Sequence, residues 1–591
     1  MGHFYEEADE FHKLLTDRGF IDDIYKSIQQ SDKGDTVVTA LEILKKTNKM
    51  PIIPKSPESG DASRFFRQLA DQTLEDEDYR NAFDLYNQAV RCAPKDSSHT
   101  MLEAYFGRSR LHFATGTCPG ACIADIEKCL AWKNTVIESK LKKMKAISQR
   151  KLKAIPTLPQ NSFFDNFFNI ADRERHPKVP SVSRSVDFVV ENGLPKVVAA
   201  KNIPAGALVA LETAYVGHLD AQNELRACHF CHAFTLNLIP CDNCRYILFC
   251  SEKCKKLCWE EYHNVECHII HIHDLITAHR PVYPLTVNAA IKLKNKCSWE
   301  EFKSISFDLG LEEMTSSLIN EVYDVNNKVS ILRCNKNKHF VFGQTYNAVF
   351  IYAFYIHYLE SVPSFFPREP KAKDEAIRAL GRVLVHLHEA TGHILRIRNS
   401  AKDAMSDAIT SAHERNYSLY SFTGKLKHSC DPNLYVVGLN NKVALIALKP
   451  IKTGEELTIS YFGHWHENVS RKRPLEMFYM SEIICRCRVC VEEWSVLNLR
   501  AAKMSEQQKQ IYKKWNQLKC AHYLDMVDCS VMYRESFNCL NAFHNLANTK
   551  EHKEVFDEMR RIILVLQYEF TNNCTVLVEF KSNVLQLRSA E

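Results

Sequence analysis

At 591 residues the chain is long enough for about four domains of average size. Its 45% hydrophobic and 25% charged residues, with only 18 Gly and 20 Pro, exclude collagen-like, low-complexity and mostly disordered readings. Lys+Arg 76 against Asp+Glu 71 leaves +5, too balanced for a chain that coats nucleic acid, so direct nucleic-acid binding is not expected. The longest apolar stretch, Val349 to Leu359, reaches about half of a membrane crossing and carries His357. The start, MGHFYEEADEF, shows neither a basic n-region nor an apolar h-region. These features predict an intracellular protein of cytoplasm and nucleus, monomeric and without a membrane partner.

In chain order, residues 60 to 135 read as helical hairpins. Phe65, Phe66, Leu69 and Ala70 lie at helical spacing, and Tyr79, Ala82, Phe83, Tyr86 and Ala89 repeat the pattern before Pro94. An aromatic or Ala near each turn, at a period of about 35 residues, resembles tetratricopeptide repeats; a plain helical bundle fits the same residues. Residues 140 to 153 (KLKKMKAISQRKLK) read as the solvated face of a helix, with nuclear targeting as the minority reading. Short alternating runs predict strands at Val186–Val190, Val197–Ala200 and Ala207–Leu211, then again at Tyr435–Val437, Val443–Ala447 and Glu456–Tyr461. The pattern from 275 to 420 is largely helical, and the tail from 500 to 591 is amphipathic and helical, with Cys520, His522 and Cys529 scattered in it.

The 22 cysteines are clustered, eight of them between Cys228 and Cys267. Cys228-x2-Cys231 and Cys241-x2-Cys244 are followed by Cys250-x3-Cys254 and His263-x3-Cys267. Thiolates two residues apart suit tetrahedral zinc, and about 40 residues hold too little apolar surface to fold without the metal. Eight ligands make two closed sites, which is a structural and not a catalytic arrangement. The order, with Phe249-Cys250-Ser251 and Trp259 before His263, resembles a MYND finger. That resemblance implies interleaved sites, Cys228, Cys231, Cys250 and Cys254 on one zinc and Cys241, Cys244, His263 and Cys267 on the other. It also implies peptide or proline-rich partners. Cys258 lies outside the pattern as a spare thiol on the finger's helix.

Lys427-His-Ser-Cys-Asp-Pro-Asn433, Gly454-Glu-Glu-Leu-Thr-Ile-Ser-Tyr461 and Cys485-x-Cys487-x2-Cys490 together resemble the SET domain with its post-SET zinc site. A SET domain interrupted by a MYND finger is the SET and MYND domain family of protein-lysine methyltransferases, here the branch with tetratricopeptide-like repeats ahead of the catalytic part. The resemblance implies methyl transfer from S-adenosylmethionine to a lysine amine of a protein substrate, histone or not, with a place in transcriptional repression. It implies Tyr461 as the catalytic tyrosine beside the transfer channel. Asn399, Lys427, His428 and Tyr461 would bind the cofactor, and Cys430 would join Cys485, Cys487 and Cys490 on a third zinc.

The implied fold is multidomain α+β. Helical repeats occupy 1–155, the first SET part 180–227, the finger 228–267 and a helical SET insert 268–395. The catalytic SET part spans 396–466, the post-SET zinc site 467–495, and a C-terminal helical domain 496–591. Three positions depart from the family pattern. Lys427 replaces an Asn, Gly193-Leu-Pro-Lys-Val197 replaces a glycine-rich loop, and Ser481 stands where an aromatic residue is usual, with Tyr479 two positions away. An ammonium 4 Å from the cofactor's positive centre would cost about 4 kcal/mol at an effective dielectric near 20. The departures therefore support an alternative, a catalytically weak or inactive SET scaffold that recruits corepressor, deacetylase or chaperone complexes through its finger and repeats.

Overall fold

The computed structural model describes residues 32–47, 57–116, 119–132, 135–154, 167–191, 194–221, 223–277, 282–307, 309, 330–332, 342–390, 395–398, 415–461, 463–466, 485–523, 528–572, 576–581 and 584–589. Helix α1 (Lys33–Thr47) precedes a run of consecutive helices: α2 (Gly60–Glu75), α3 (Tyr79–Cys92), α4 (Ser98–Thr115), α5 (Pro119–Ala131) and α6 (Thr135–Ala154). Ser59, Asp78 and Ser97 cap α2, α3 and α4 by accepting the amides of Ala62, Asn81 and Thr100, which satisfies N–H groups left open at a helix start. Ala82, Phe83, Tyr86, Ala89 and Val90 form the buried face of α3, as their spacing predicts. Gly107 lets α4 approach it, because a Cβ there would lie 2.6 Å from the Tyr86 ring. In α6 the basic run points outward while Leu141, Met144 and Ser148 face in.

The SET segment opens with a hairpin, β1 (Val186–Glu191) against β2 (Leu194–Ala199), followed by β3 (Leu208–Thr213) and β4 (Val216–His218). The finger contributes β5 (Ile239–Pro240), β6 (Leu248–Phe249) and α7 (Glu252–Cys258), then a π-helical turn at Trp259–His263 that runs into α8 (Asn264–Thr277). Helices α9 (Val282–Asn295), α10 (Trp299–Phe307), α11 (Phe342–Leu359) and α12 (Pro370–Ala390) form the insert, and α1 packs on it. The helical reading of 275–420 needs correction at its end. Strands β7 (Leu395–Arg398) and β8 (Arg415–Leu419) form an antiparallel sheet with β4, because Tyr417, Ser418 and Leu419 complete the ladder of His218, Gly217 and Val216.

Strands β9 (Lys427–His428), β10 (Leu434–Leu439), β11 (Lys442–Ala447) and β12 (Thr458–Ile459) complete the core. The sheet ordered β10-β11-β3 is buried on both faces. Val443, Leu445 and Ala447 face the SET core, and Ala444, Ile446 and Leu448 face Trp515, Phe537 and Phe556 of the C-terminal helices. The period of two in each strand thus builds two cores at once. Those helices are α14 (Glu506–Tyr523), α15 (Cys529–Ala542) and α16 (Lys550–Asn572), after the short α13 (Arg488–Val491). The tail is not helical throughout: β13 (Val576–Lys581) and β14 (Val584–Ser589) pair as an antiparallel hairpin.

A buried polar joint fixes the N-terminal helices to the cysteine-rich segment. Arg108 of α4 and Asp125 of α5 are both fully buried and share two hydrogen bonds of 2.7 Å. The same guanidinium donates to Asn87 and to the finger-segment carbonyl of Leu238, at 2.7 and 2.8 Å. From the other side, Arg245 donates to the Val90 carbonyl at the end of α3 and Arg226 pairs with Asp84.

Candidate functional site

The finger's ligand candidates come together in the interleaved sets. Cys228, Cys231, Cys250 and Cys254 offer sulfurs within 4.8 Å of one another, and so do the ligand atoms of Cys241, Cys244, His263 and Cys267. Ser251 starts α7 by accepting the Cys254 amide, which orients the third and fourth thiols of the first set. In the second set, His263 turns Nε2 toward Cys241 Sγ at 3.3 Å and Cys244 Sγ at 3.6 Å. A third set joins Cys430 to Cys485, Cys487 and Cys490, with Cys430 Sγ 3.5 Å from Cys490 Sγ. Its thiols are walled by Trp465 and Trp494, edge to face at 5.4 Å. Four soft ligands at tetrahedral reach fit zinc in every case, and none of the three sets leaves a position open for substrate. Cys258 is fully buried, and its sulfur lies within 4.8 Å of ligand atoms of His229 and Glu266.

The HSCDPN and GEELTISY segments meet at a parallel crossing, with Lys427 opposite Thr458 and His428 opposite Ile459. Asn433 secures it like a substitute peptide group. Its Nδ2 donates to the Glu456 carbonyl and its Oδ1 accepts the Thr458 amide, both at 2.8 Å. Beneath, the buried Glu212 carboxylate of β3 accepts the amides of Phe422 and Thr423 and the Thr423 hydroxyl, which holds the approach to His428. Burial raises the Glu212 pKa against those bonds. Neither role was legible in sequence, since each depends on a partner more than 20 residues away.

Tyr461 lies at the end of this crossing. Its hydroxyl donates to the Leu426 carbonyl at 2.5 Å, and its ring sits 5.1 Å from the His428 ring. Burial raises the Tyr461 pKa, so the phenol stays protonated at neutral pH. His428 has a partner on both nitrogens: Nδ1 accepts the Tyr461 amide at 3.1 Å, and Nε2 faces Cys430 Sγ at 3.4 Å. The imidazole therefore couples the third cysteine set to the tyrosine. Asn399, Gly193, Tyr479 and Ser481 lie outside the described residues.

The expected charge conflict at Lys427 is corrected by its surroundings. Lys427 Nζ is 2.8 Å from Glu456 Oε1, and Lys196 reaches the other oxygen of Glu456 at 3.9 Å while bonding Glu191 at 2.5 Å. The bridge between Val198 and Glu456 sets β2 beside the crossing, so two ammonium groups meet two carboxylates. In the sequence Lys427 stands as a bare cation; Glu456, which answers it, lies inside the quoted motif.

The family model described as the SET domain matches residues 196–462. The chain is 28% identical over 290 residues to a protein-lysine N-methyltransferase SMYD4 of Danio rerio, covering 44% of this chain and 35% of that one. It is 22% identical over 546 residues to the SMYD4 of Pongo abelii, covering 73% and 67%. Against the histone-lysine N-methyltransferase SMYD3 of Mus musculus it is 26% identical over 302 residues, covering 50% and 59%. The chain is thus similar to SET-domain protein-lysine methyltransferases of the SMYD group over these stretches. Its match spans between about a third and two thirds of the length of these relatives. The SET match encloses the cysteine-rich segment and the helices after it, so β2–β4 and β7–β12 are brought together across about 180 intervening residues. Among the described residues no helix is long and apolar enough to cross a membrane.

Proposed function

We propose that this SET and MYND domain chain is an S-adenosylmethionine-dependent protein-lysine N-methyltransferase acting on histone or non-histone proteins. The observation that carries the reading is Tyr461, its hydroxyl held on the Leu426 carbonyl and its ring beside His428 at the crossing of the two signature segments. The donor, when bound, supplies a methyl group made electrophilic by its sulfonium. Asn399, Lys427, His428 and Tyr461 are assigned to hold it. The pairing of Lys427 and Lys196 with Glu456 and Glu191 supports the fit, because both cations already sit on carboxylates. Tyr461 presents an oriented hydroxyl and an aromatic face, which together align a lysine amine and favour positive charge in the transition state. The twelve Cys and His residues of the three sets are assigned to three zinc ions with a structural task. Peptide partners would meet the finger and the repeats, in cytoplasm or nucleus, with the chain acting as a monomer.

The test is transfer of labelled methyl from S-adenosylmethionine to lysine peptides by the zinc-loaded chain. Tyr461→Phe keeps the ring and removes the hydroxyl, so transfer is expected to fall by about a hundred-fold, as when one oriented donor is deleted from an active site. Transfer at the wild-type rate would contradict the assignment. The scaffold alternative drew on Lys427, on the loop Gly193–Val197 and on Ser481; the Glu456 pair bears on the first of these, setting a carboxylate against the Lys427 charge. Lys427 is 53% exposed, and such a pair is worth about 1 kcal/mol or less. Lys427→Asn is accordingly expected to change cofactor affinity, read by calorimetry, by less than about five-fold. A hundred-fold gain would reinstate the repulsion.

A further inference from the structure

Glu266 stands at the first turn of α8, fully buried, with no assigned part in the zinc sets. Its Oε2 is 2.7 Å from His263 Nδ1, the ring nitrogen opposite the one facing Cys241 and Cys244. The same oxygen lies 3.3 Å from His229 Nε2. Its Oε1 accepts from Asn288 Nδ2 of α9 at 2.5 Å and lies 3.4 Å from His273 Nε2. The other nitrogen of His273 bonds the Tyr355 hydroxyl of α11 at 2.8 Å. One carboxylate thus gathers groups from the finger, from α8 and from α9, and reaches α11 through His273.

We infer that Glu266 is the positioning residue of the Cys241–Cys244–His263–Cys267 centre, fixing the His263 ring so that Nε2 is presented to zinc. A proton held at Nδ1 by an acceptor leaves the lone pair on Nε2, and it stops rotation of the ring. Glu266 also grips Asn288 and His273, so it makes this one zinc centre continuous with the helical insert. The nearness of His229, Cys258 and Glu266 raises a rival reading, a fourth metal site. The contacts speak against it. Both oxygens of Glu266 already take part in hydrogen bonds, Oε2 with His263 and His229 and Oε1 with Asn288, which leaves the carboxylate little capacity for a metal.

The inference rests on the zinc reading of the sets, and the test separates the two. The full chain is loaded with zinc, its metal content is counted, and affinity is read by competition with a chromophoric chelator. Cobalt-substituted protein gives the visible spectrum of each centre. Glu266→Gln is expected to weaken one of three metals by about ten- to a hundred-fold and to shift the cobalt bands of the centre that contains His263, leaving the bands of the two all-thiolate centres unchanged. Asn288→Ala, which spares the His263 contact, is expected to leave that affinity within about three-fold of wild type.

A His263→Cys background covers the case in which Glu266→Gln alone folds poorly, because a fourth thiolate needs no ring to be held. Glu266→Gln should then add less than about three-fold, the mark of coupling between the two residues. An equal loss in both backgrounds would show that Glu266 acts on the fold at large and would overturn the inference. Unchanged affinity and bands in Glu266→Gln would overturn it too, as would four metals falling to three in Cys258→Ser. A chain that binds no zinc would defeat the zinc reading itself, and the inference with it.

Discussion

Stripping zinc with a high-affinity chelator under reducing conditions is expected to unfold residues 223–277 and to loosen the N-terminal helices that lean on them. Each finger strand has two residues, and the eight ligand residues hold the segment around β5, β6 and α7. A structural zinc contributes about 10–16 kcal/mol of apparent binding free energy at neutral pH, far above what such a segment gains by burial. Because Arg226 and Arg245 fasten the segment to α3, the loss should propagate. Hydrogen exchange by mass spectrometry reads it directly: protection disappears in the finger first and weakens in α3 and α4. Undiminished protection in metal-free protein would show that the cysteines are merely buried.

Asp125→Ala should cost about 3–5 kcal/mol in urea unfolding, since it strands the Arg108 guanidinium in a fully buried site. Asn87 and the Leu238 carbonyl would still accept from Arg108, but among the described residues no carboxylate would remain paired with it. Replacing both partners, Arg108→Met with Asp125→Leu, should recover most of the loss, because the desolvation cost leaves with the charges. A single variant as stable as wild type would mean that the joint is not closed to solvent.

Buried histidines in the N-terminal and in the C-terminal helices are expected to make the fold acid-sensitive. Burial holds His112, 3.7 Å from Asp125, down at about 4, and it holds His552 of α16 at about 3. An unfolded His titrates near about 6.5, so below that the unfolded chain binds more protons than the folded one. Stability should therefore fall as pH drops from about 6.5 toward 4, by up to about 1.4 kcal/mol per pH unit for each such ring. Urea midpoints measured across that range check the sign, and a rise in stability on acidification would contradict it.

Local chemistry was legible in the sequence where it was dense. The Cys spacing announced two closed metal sets in 228–267, the resemblance implied their interleaving and the third set, and the apolar run Val443–Ala447 announced a strand. Illegible were the groups whose meaning lies across the fold. β8 reads as part of a helical stretch until Val216–His218 is placed beside it. Lys427 looks disruptive until β2 and the crossing bring Lys196, Glu191 and Glu456 into one chain of ion pairs. Glu266 is an unremarked acid between two ligands in sequence, and only packing shows its four partners.

The central claim is that the crossing beside Tyr461 forms a working cofactor site. Calorimetric titration of S-adenosylmethionine into the zinc-loaded full chain tests it most directly. Saturable binding of one donor per chain, with an affinity that Lys427→Asn scarcely alters, is the predicted result. A folded chain carrying three zinc ions that gives no binding heat at any temperature tried, and no donor retained on equilibrium dialysis, would contradict it.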